Sequence, residues 1–272
     1  MTLVPEALVA QRSREWTTYD GSAVEMDTQA RLHLDPSCDY SRKRFLYRKS
    51  ESFELSLMRE LVAAGDDVID VGANVGYWTT AMARAVGPEG RVFAFEPLVR
   101  TFRILQRNVE INGFNHVFTF NAALSDHNGE ALLTADRSRT GHSHVVPTGR
   151  DAGNDTVAVV LNRLDRYETL LRRERVSFLK IDVEGHEVAV LRGAKNLLAR
   201  TNVAVLAEYS EGGFQRAGYD FADLKATCDE LHFNISVILP DDNPSVPAGL
   251  LDATAETLPD ACNLLLRRAS TP

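Results

Sequence analysis

Two clusters of residues in this chain have the types and spacing to do chemistry. One is Asp70-Val71-Gly72-Ala73-Asn74-Val75-Gly76 with Glu96-Pro97 behind it, and the other is Asp182-Val183-Glu184-Gly185-His186-Glu187. Gly72 and Gly76 let a backbone turn sharply and be approached closely by a ligand, as in the strand-to-helix loops that hold NAD, FAD, ATP and similar molecules. Glu96 is placed to accept from ribose hydroxyls. The interval from Gly72 to Glu96 would also suit a dinucleotide, but the loop lacks the third glycine of Gly-x-Gly-x-x-Gly, and the Asp70 carboxylate would repel a pyrophosphate. An acid there suits a ligand carrying an amino group and a positive sulfonium. In the second cluster, His186 at a helix N-terminus would be kept neutral by the helix dipole, available to accept a hydroxyl proton near pH 7. Asp182, Glu184 and Glu187 carry two readings, because acids in the first turn of a helix are favoured by its dipole whatever the chemistry.

Such residues work only if elements bring them to one edge. Val68 to Val71 is apolar and β-rich, as a strand buried on both faces should be, and Trp78 to Val86 is helical, stopped by Gly87-Pro88. Before it, Phe53, Leu55, Leu57, Met58, Leu61 and Val62 make a helical stripe from Ser50 to Gly65. Arg91 to Phe95 is a second strand, Val99 to Asn112 a crossover helix, and Val117 to Phe120 a third strand. Ala122 and Ala123 at its end are small enough to leave room for an adenine ring. Glu130 to Thr134 and Val157 to Leu161 are short strands around a long polar loop, Asp136 to Asp155, that holds His142 and His144. A loop that long in a compact domain suggests a cover over the active face, and its histidines suggest solvated side chains rather than a metal site. After Leu164-Asp165, a charged helix is expected to run to Arg175. The fourth strand, Val176 to Ile181, leads to the second cluster, and a helix with Val188, Leu191, Ala194 and Leu198 on one face follows. Val203 to Ala207 is a fifth strand ending at Glu208, then comes a helix from Phe221 to Leu231. The strands Phe233 to Leu239 and Asn263 to Leu266 close the sheet as an antiparallel pair. The expected fold is α/β, a Rossmann-like, doubly wound, mostly parallel seven-stranded sheet with an antiparallel last strand.

The 272 residues are 44% hydrophobic, ample for a buried core, and the formal net charge is −8. No block of Lys and Arg stands apart from acids, so nucleic acid is not expected as a partner. Cys38, Cys228 and Cys262 are scattered, with no close pair at metal spacing, which points to free thiols in a reducing compartment. With no leader-like start and no stretch near the ~20 apolar residues of a membrane span, a cytoplasmic protein without membrane association is expected.

The first cluster resembles the class I S-adenosylmethionine-dependent methyltransferases, in which the first acid and the glycine loop hold the methionine part and the acid after the second strand holds the ribose. A narrower resemblance lies in Asp70 to Gly76, Phe95-Glu96-Pro97, Ala123-Leu124-Ser125-Asp126, Leu164-Asp165, Lys180 to Glu187 and Leu191-Arg192-Gly193-Ala194. Over Phe53 to Glu208 the chain is similar to the FkbM family of methyltransferases. That resemblance implies S-adenosylmethionine as cofactor and a small hydroxylated acceptor such as a sugar, glycoside or polyketide-type natural product. The cofactor-binding residues are then Asp70, Gly72, Ala73, Asn74, Gly76, Glu96, Pro97, Ala122, Ala123 and Asp182, and the catalytic candidates are His186, Glu184 and Asp182. Asp182 and Glu208 end neighbouring strands and could hold Mg²⁺. The resemblance does not require that ion, so no metal site is expected. Methyl transfer to nitrogen and a nucleotide-binding oxidoreductase remain alternatives. Residues 50–272 are expected to form the methyltransferase domain. Residues 1–49 form an arm with a short hairpin near Ala30 to Leu34, on the substrate side or at the interface of a homodimer.

Overall fold

Strands whose residues are apolar on both faces assemble at the centre of a large sheet, and the computed structural model describes them within residues 5–47, 52–135, 143–146, 155–239, 249–254 and 257–268. Its strands are β1 (Asp67–Val71), β2 (Arg91–Phe95), β3 (Val117–Phe120), β4 (Val176–Ile181), β5 (Ala204–Ser210), β6 (Phe233–Leu239), β7 (Gly249–Asp252) and β8 (Ala261–Arg268). They lie in the order β7-β6-β8-β5-β4-β1-β2-β3. β3, β2, β1, β4 and β5 run parallel, while β8 is antiparallel to both β5 and β6. The order reverses between β1 and β4, which is where a doubly wound sheet opens a crevice at its carboxyl edge. The fold is therefore the α/β arrangement expected, with one strand more than the seven foreseen: β7, within the Pro240 to Ala261 connection, pairs with β6 at the edge.

The helices are α1 (Glu6–Trp16), α2 (Asp39–Tyr47), α3 (Ser52–Leu61), α4 (Tyr77–Val86), α5 (Val99–Ile111), α6 (Glu187–Gly193), α7 (Lys195–Arg200), α8 (Glu211–Ala217) and α9 (Phe221–Glu230). One core packs α6, α7 and α9 on the sheet through Val188, Leu191, Leu197, Leu198 and Leu224, against Leu179, Ile181 and Val205. The other face is covered by α3 and α4, where Met58, Trp78 and Met82 meet Val68 and Phe178. The helix expected to run unbroken through Leu198 divides at Ala194, next to Gly193, where a Cβ would lie 1.9 Å from the Ser125 carbonyl oxygen. Close backbone approach sets that break. The charged helix expected up to Arg175 is instead two 3₁₀ turns, Leu164–Leu170 and Arg173–Arg175.

Residues before Ser50 pack into the second core: Met26, Leu32, Leu34, Phe45 and Leu46 share it with Val68 and Trp78. The expected hairpin is a short antiparallel pair, Val24–Glu25 with Arg31–Leu32. It is tied to α5 by Asn108, which accepts from the His33 amide at 2.6 Å and donates to the Val75 carbonyl at 2.7 Å. Arg44 of α2 is buried between the rings of Tyr40 and Tyr77, 4.6 and 4.5 Å from their centroids. A desolvated guanidinium between two rings is a strong joint. A three-stranded sheet, Ala123–Leu124, Gly129–Thr134 and Thr156–Asn162, stands beside β3.

Candidate active site

At the carboxyl edge of β1 the chain leaves the strand through Gly72, whose φ is +81°. A Cβ there would lie 1.9 Å from the Asp182 carbonyl oxygen. The expectation was of a ligand approaching this glycine; what approaches it is the backbone after β4, so the two sequence clusters meet here. Asp182 seals the contact by donating its amide to the Val71 carbonyl at 3.0 Å. Gly76, with φ +91°, similarly leaves room for Leu105 rather than for a ligand.

The loop is held from the other side by Glu96. Its carboxyl accepts from the Asn74 amide and from the Leu98 amide, each at 2.9 Å. Burial pushes its pKa up to about 7 against those two hydrogen bonds, and the nearby Asp70 and Asp182 push the same way. Asp70 is fully buried and accepts from the Thr79 hydroxyl at 2.6 Å, which clamps the start of α4 to the end of β1.

These strand ends open on a cavity of about 460 Å³. Gly72, Ala73, Asn74, Glu96, Pro97, Ala122 and Ala123 line one part of it, and Asp182, Glu184 and His186 line another. Asp70 and Gly76 are not among its lining residues and act from behind the wall. Of the long polar loop, Ser143 and Val145 reach the cavity and His144 is tied to Thr134, whereas His142 lies outside the described residues. The sequence reading missed Asp39, Tyr40 and Lys43, which bring α2 to the rim, together with Trp78 and Lys180. Tyr40 is an aromatic in a polar stretch of sequence, and nothing local ties it to the sheet edge.

The second cluster is electrostatically crowded. Asp182, Glu184 and Glu208 place carboxylate oxygens within 4.8 Å of one another. Lys180, nearly buried on β4, sets its ammonium 2.8 Å from Asp182 Oδ2. Burial alone would raise the Asp182 pKa, but the Lys180 charge and hydrogen bonds from Lys180 and Glu208 bring it below the usual carboxylate range. Facing that anion, and itself buried, Glu208 has its pKa pushed well above the ordinary value. A carboxyl favoured in its charged form and one pushed toward its neutral form thus stand side by side. Glu184 sits at φ +57° ahead of Gly185, a conformation forced where the turn packs against Gly213.

His186 lies on the cavity wall, its Nε2 3.0 Å from Ser125 Oγ. Burial lowers its pKa to about 4, only partly countered by Asp126. The ring is neutral near pH 7, as expected, but burial rather than the dipole of the short α6 is the main cause. A neutral imidazole on the wall of the cavity that the carboxylates and the glycine loop also line can take up a proton from a group bound there.

A model of the methyltransferase FkbM domain matches residues 70–235. The chain is 28% identical over 193 residues to Methyltransferase 1 of Beauveria bassiana, covering 64% of this chain and 74% of that protein. It is 30% identical over 145 residues to the hexuronic acid methyltransferase AglP of Haloferax volcanii, covering 53% of this chain and 56% of that one. A solved methyltransferase FkbM from Methylobacillus flagellatus superposes with a TM-score of 0.46 at 14% identity, over 96% of this chain and 60% of that chain.

Proposed function

We propose that this chain, which belongs to the FkbM family of methyltransferases, moves the methyl group of S-adenosylmethionine to a hydroxyl oxygen of a small molecule of the sugar, glycoside or polyketide kind. The observation that carries the reading is one cavity lined by both sequence clusters, by Gly72, Ala73, Asn74 and Glu96 of the first and by Asp182, Glu184 and His186 of the second. The acid-rich wall suits a sulfonium cation, and Glu96 would accept from the ribose hydroxyls. Ala122 and Ala123 leave space for the adenine. His186 would receive the acceptor's proton as the oxygen attacks, while Asp182 and Glu184 would orient the hydroxyl by accepting its hydrogen bond. The Haloferax relative's named substrate class, a hexuronic acid, is a polyhydroxylated sugar of the kind proposed.

The arm before Ser50 then belongs to the acceptor side, since α2 lends Asp39, Tyr40 and Lys43 to the rim. The three grouped carboxylates are read as working without a metal, because the Lys180 ammonium, 2.8 Å from Asp182 Oδ2, already brings positive charge to them. Three cysteines, none in a disulfide, are consistent with a reducing cytoplasm. Calorimetry tests the cofactor: S-adenosylhomocysteine should bind and NAD should not, and turnover should survive EDTA. Heat from NAD alone would defeat the proposal.

A further inference from the structure

A chain of hydrogen bonds enters this site from the three-stranded sheet beside it. Ser125 follows the Ala123–Leu124 strand, is fully buried, and has its Oγ 3.0 Å from His186 Nε2 and 3.2 Å from Asp126 Oδ1. Its backbone cannot drift: its amide donates to the Asn162 carbonyl at 2.9 Å, and its own carbonyl is packed against Gly193 so closely that no Cβ fits between. A hydroxyl has one proton to give, and a carboxylate can only accept. Both contacts are hydrogen bonds in one arrangement: Ser125 donates to Asp126, and His186 donates its Nε2–H to Ser125. The opposite choice, Ser125 donating to His186, would leave the contact between Ser125 and Asp126 Oδ1, an oxygen that also lies 2.7 Å from His127 Nδ1, without a proton.

We propose that Asp126 and Ser125 are positioning residues that fix His186 as its Nε2–H tautomer, so that the Nδ1 lone pair is the one offered to the acceptor hydroxyl. Among the described residues Nδ1 makes no hydrogen bond, and the ring stands on the cavity wall with the edge of Tyr219 beyond it. The proposal rests on the hydroxyl-methylation reading. In that step an acceptor oxygen lone pair bonds the methyl carbon, and the carbon–sulfur bond breaks with its electron pair returning to sulfur, which gives neutral S-adenosylhomocysteine. The hydroxyl proton passes to Nδ1, and the imidazolium so formed releases it to water. The wrong tautomer would present an N–H to the hydroxyl and could take nothing from it.

The test is a ¹⁵N spectrum of the full-length protein labelled at histidine, with the His186 signals identified by their loss in His186→Gln. Near neutral pH the wild type should show a pyridine-type Nδ1 and a pyrrole-type Nε2. Asp126→Asn keeps an oxygen that accepts from Ser125 and should leave this pattern in place. Asp126→Leu frees Ser125 to donate to His186 and should shift the ring toward the Nδ1–H form, with kcat for methyl transfer down about tenfold or more and S-adenosylhomocysteine affinity unchanged. Ser125→Ala should lower kcat in the same way. An Nδ1–H ring in the wild type would overturn the proposal, as would an Asp126→Leu protein that shows the altered tautomer and full turnover. Because the spectrum is read without substrate, a failure of the relay is distinguishable from a failure of the hydroxyl-methylation reading, which would show instead as transfer to nitrogen acceptors only.

Discussion

Replacing Glu187 by Gln should make the protein more stable, and increasingly so as pH rises. Glu187 opens α6 beneath the turn that carries Asp182 and Glu184, is 1% exposed, and accepts from the Val183 amide at 3.0 Å through Oε1. Among the described residues its buried Oε2 has no hydrogen-bond partner. Burial pushes the pKa from 4.5 up to about 8, with Asp182 and Glu184 adding to the effect. The sign follows from proton counts. Between pH 4.5 and 8 the folded chain holds a proton that the unfolded chain has lost, so stability is fully present below pH 4.5 and falls as pH rises through 8. At about 1.4 kcal/mol per pH unit the interval sets a ceiling near 5 kcal/mol, and relaxation and water entry around a real buried charge bring this to roughly 2–4 kcal/mol. That is a large share of a typical total of about 5–15 kcal/mol. Gln keeps the acceptor for Val183 and never carries the charge. Urea unfolding of both proteins from pH 4 to 9 reads the difference: Glu96 tilts both curves alike, and losing the Glu187 charge also eases the upward push on Glu208. The variant's advantage should be near zero at pH 5 and grow to roughly 2–4 kcal/mol by pH 8. Curves that run parallel across that range would refute the reasoning.

Gly72→Ala should lose about 2–5 kcal/mol of stability, from a strained positive φ and a Cβ driven into the Asp182 carbonyl, and a denaturation midpoint within error of wild type would mean the two loops are not in contact. Glu96→Ala should weaken S-adenosylhomocysteine binding by about 1–3 kcal/mol in calorimetry, because it removes both the ribose acceptor and the tie to the Asn74 amide; unchanged affinity would count against the cofactor's placement. Tyr40→Ala should raise the KM for the acceptor several-fold while S-adenosylhomocysteine affinity holds, because α2 lines the rim and not the glycine loop; a parallel fall in both would put α2 in the cofactor pocket.

The central strands were legible because burial on both faces leaves a run of apolar residues that only a strand of that length can use: β2 and β4 begin and end where their patterns do, and the edge strand β3 does so with Phe118 exposed. The antiparallel close of the sheet followed from two strands without an intervening helix. Less legible was β5, which continues through Glu208 to Ser210 because these residues pair with β8, Glu208 alone of the three lining the cavity. α8 escaped notice because Gly212 and Gly213 weaken its helical signal, although Ser210 caps it. The candidate site was readable wherever a residue sits at the end of its own strand. It was not readable where long-range packing delivers the residue. Tyr40 and Lys43 arrive on a short polar helix held by Arg44, and Ser125 becomes a partner of His186 only through the close packing of Gly193.

The central claim is methyl transfer to oxygen in the cavity where the two clusters meet. It is tested most directly by incubating the protein with S-adenosylmethionine labelled with ¹³C in its methyl group and a panel of hydroxylated sugars, glycosides, polyketides and matched amines, and following the label by NMR. The account predicts a methoxy carbon on a hydroxylated acceptor, lost in His186→Gln. Label on an amine nitrogen alone, or a methoxy product formed at full rate by His186→Gln, would contradict it.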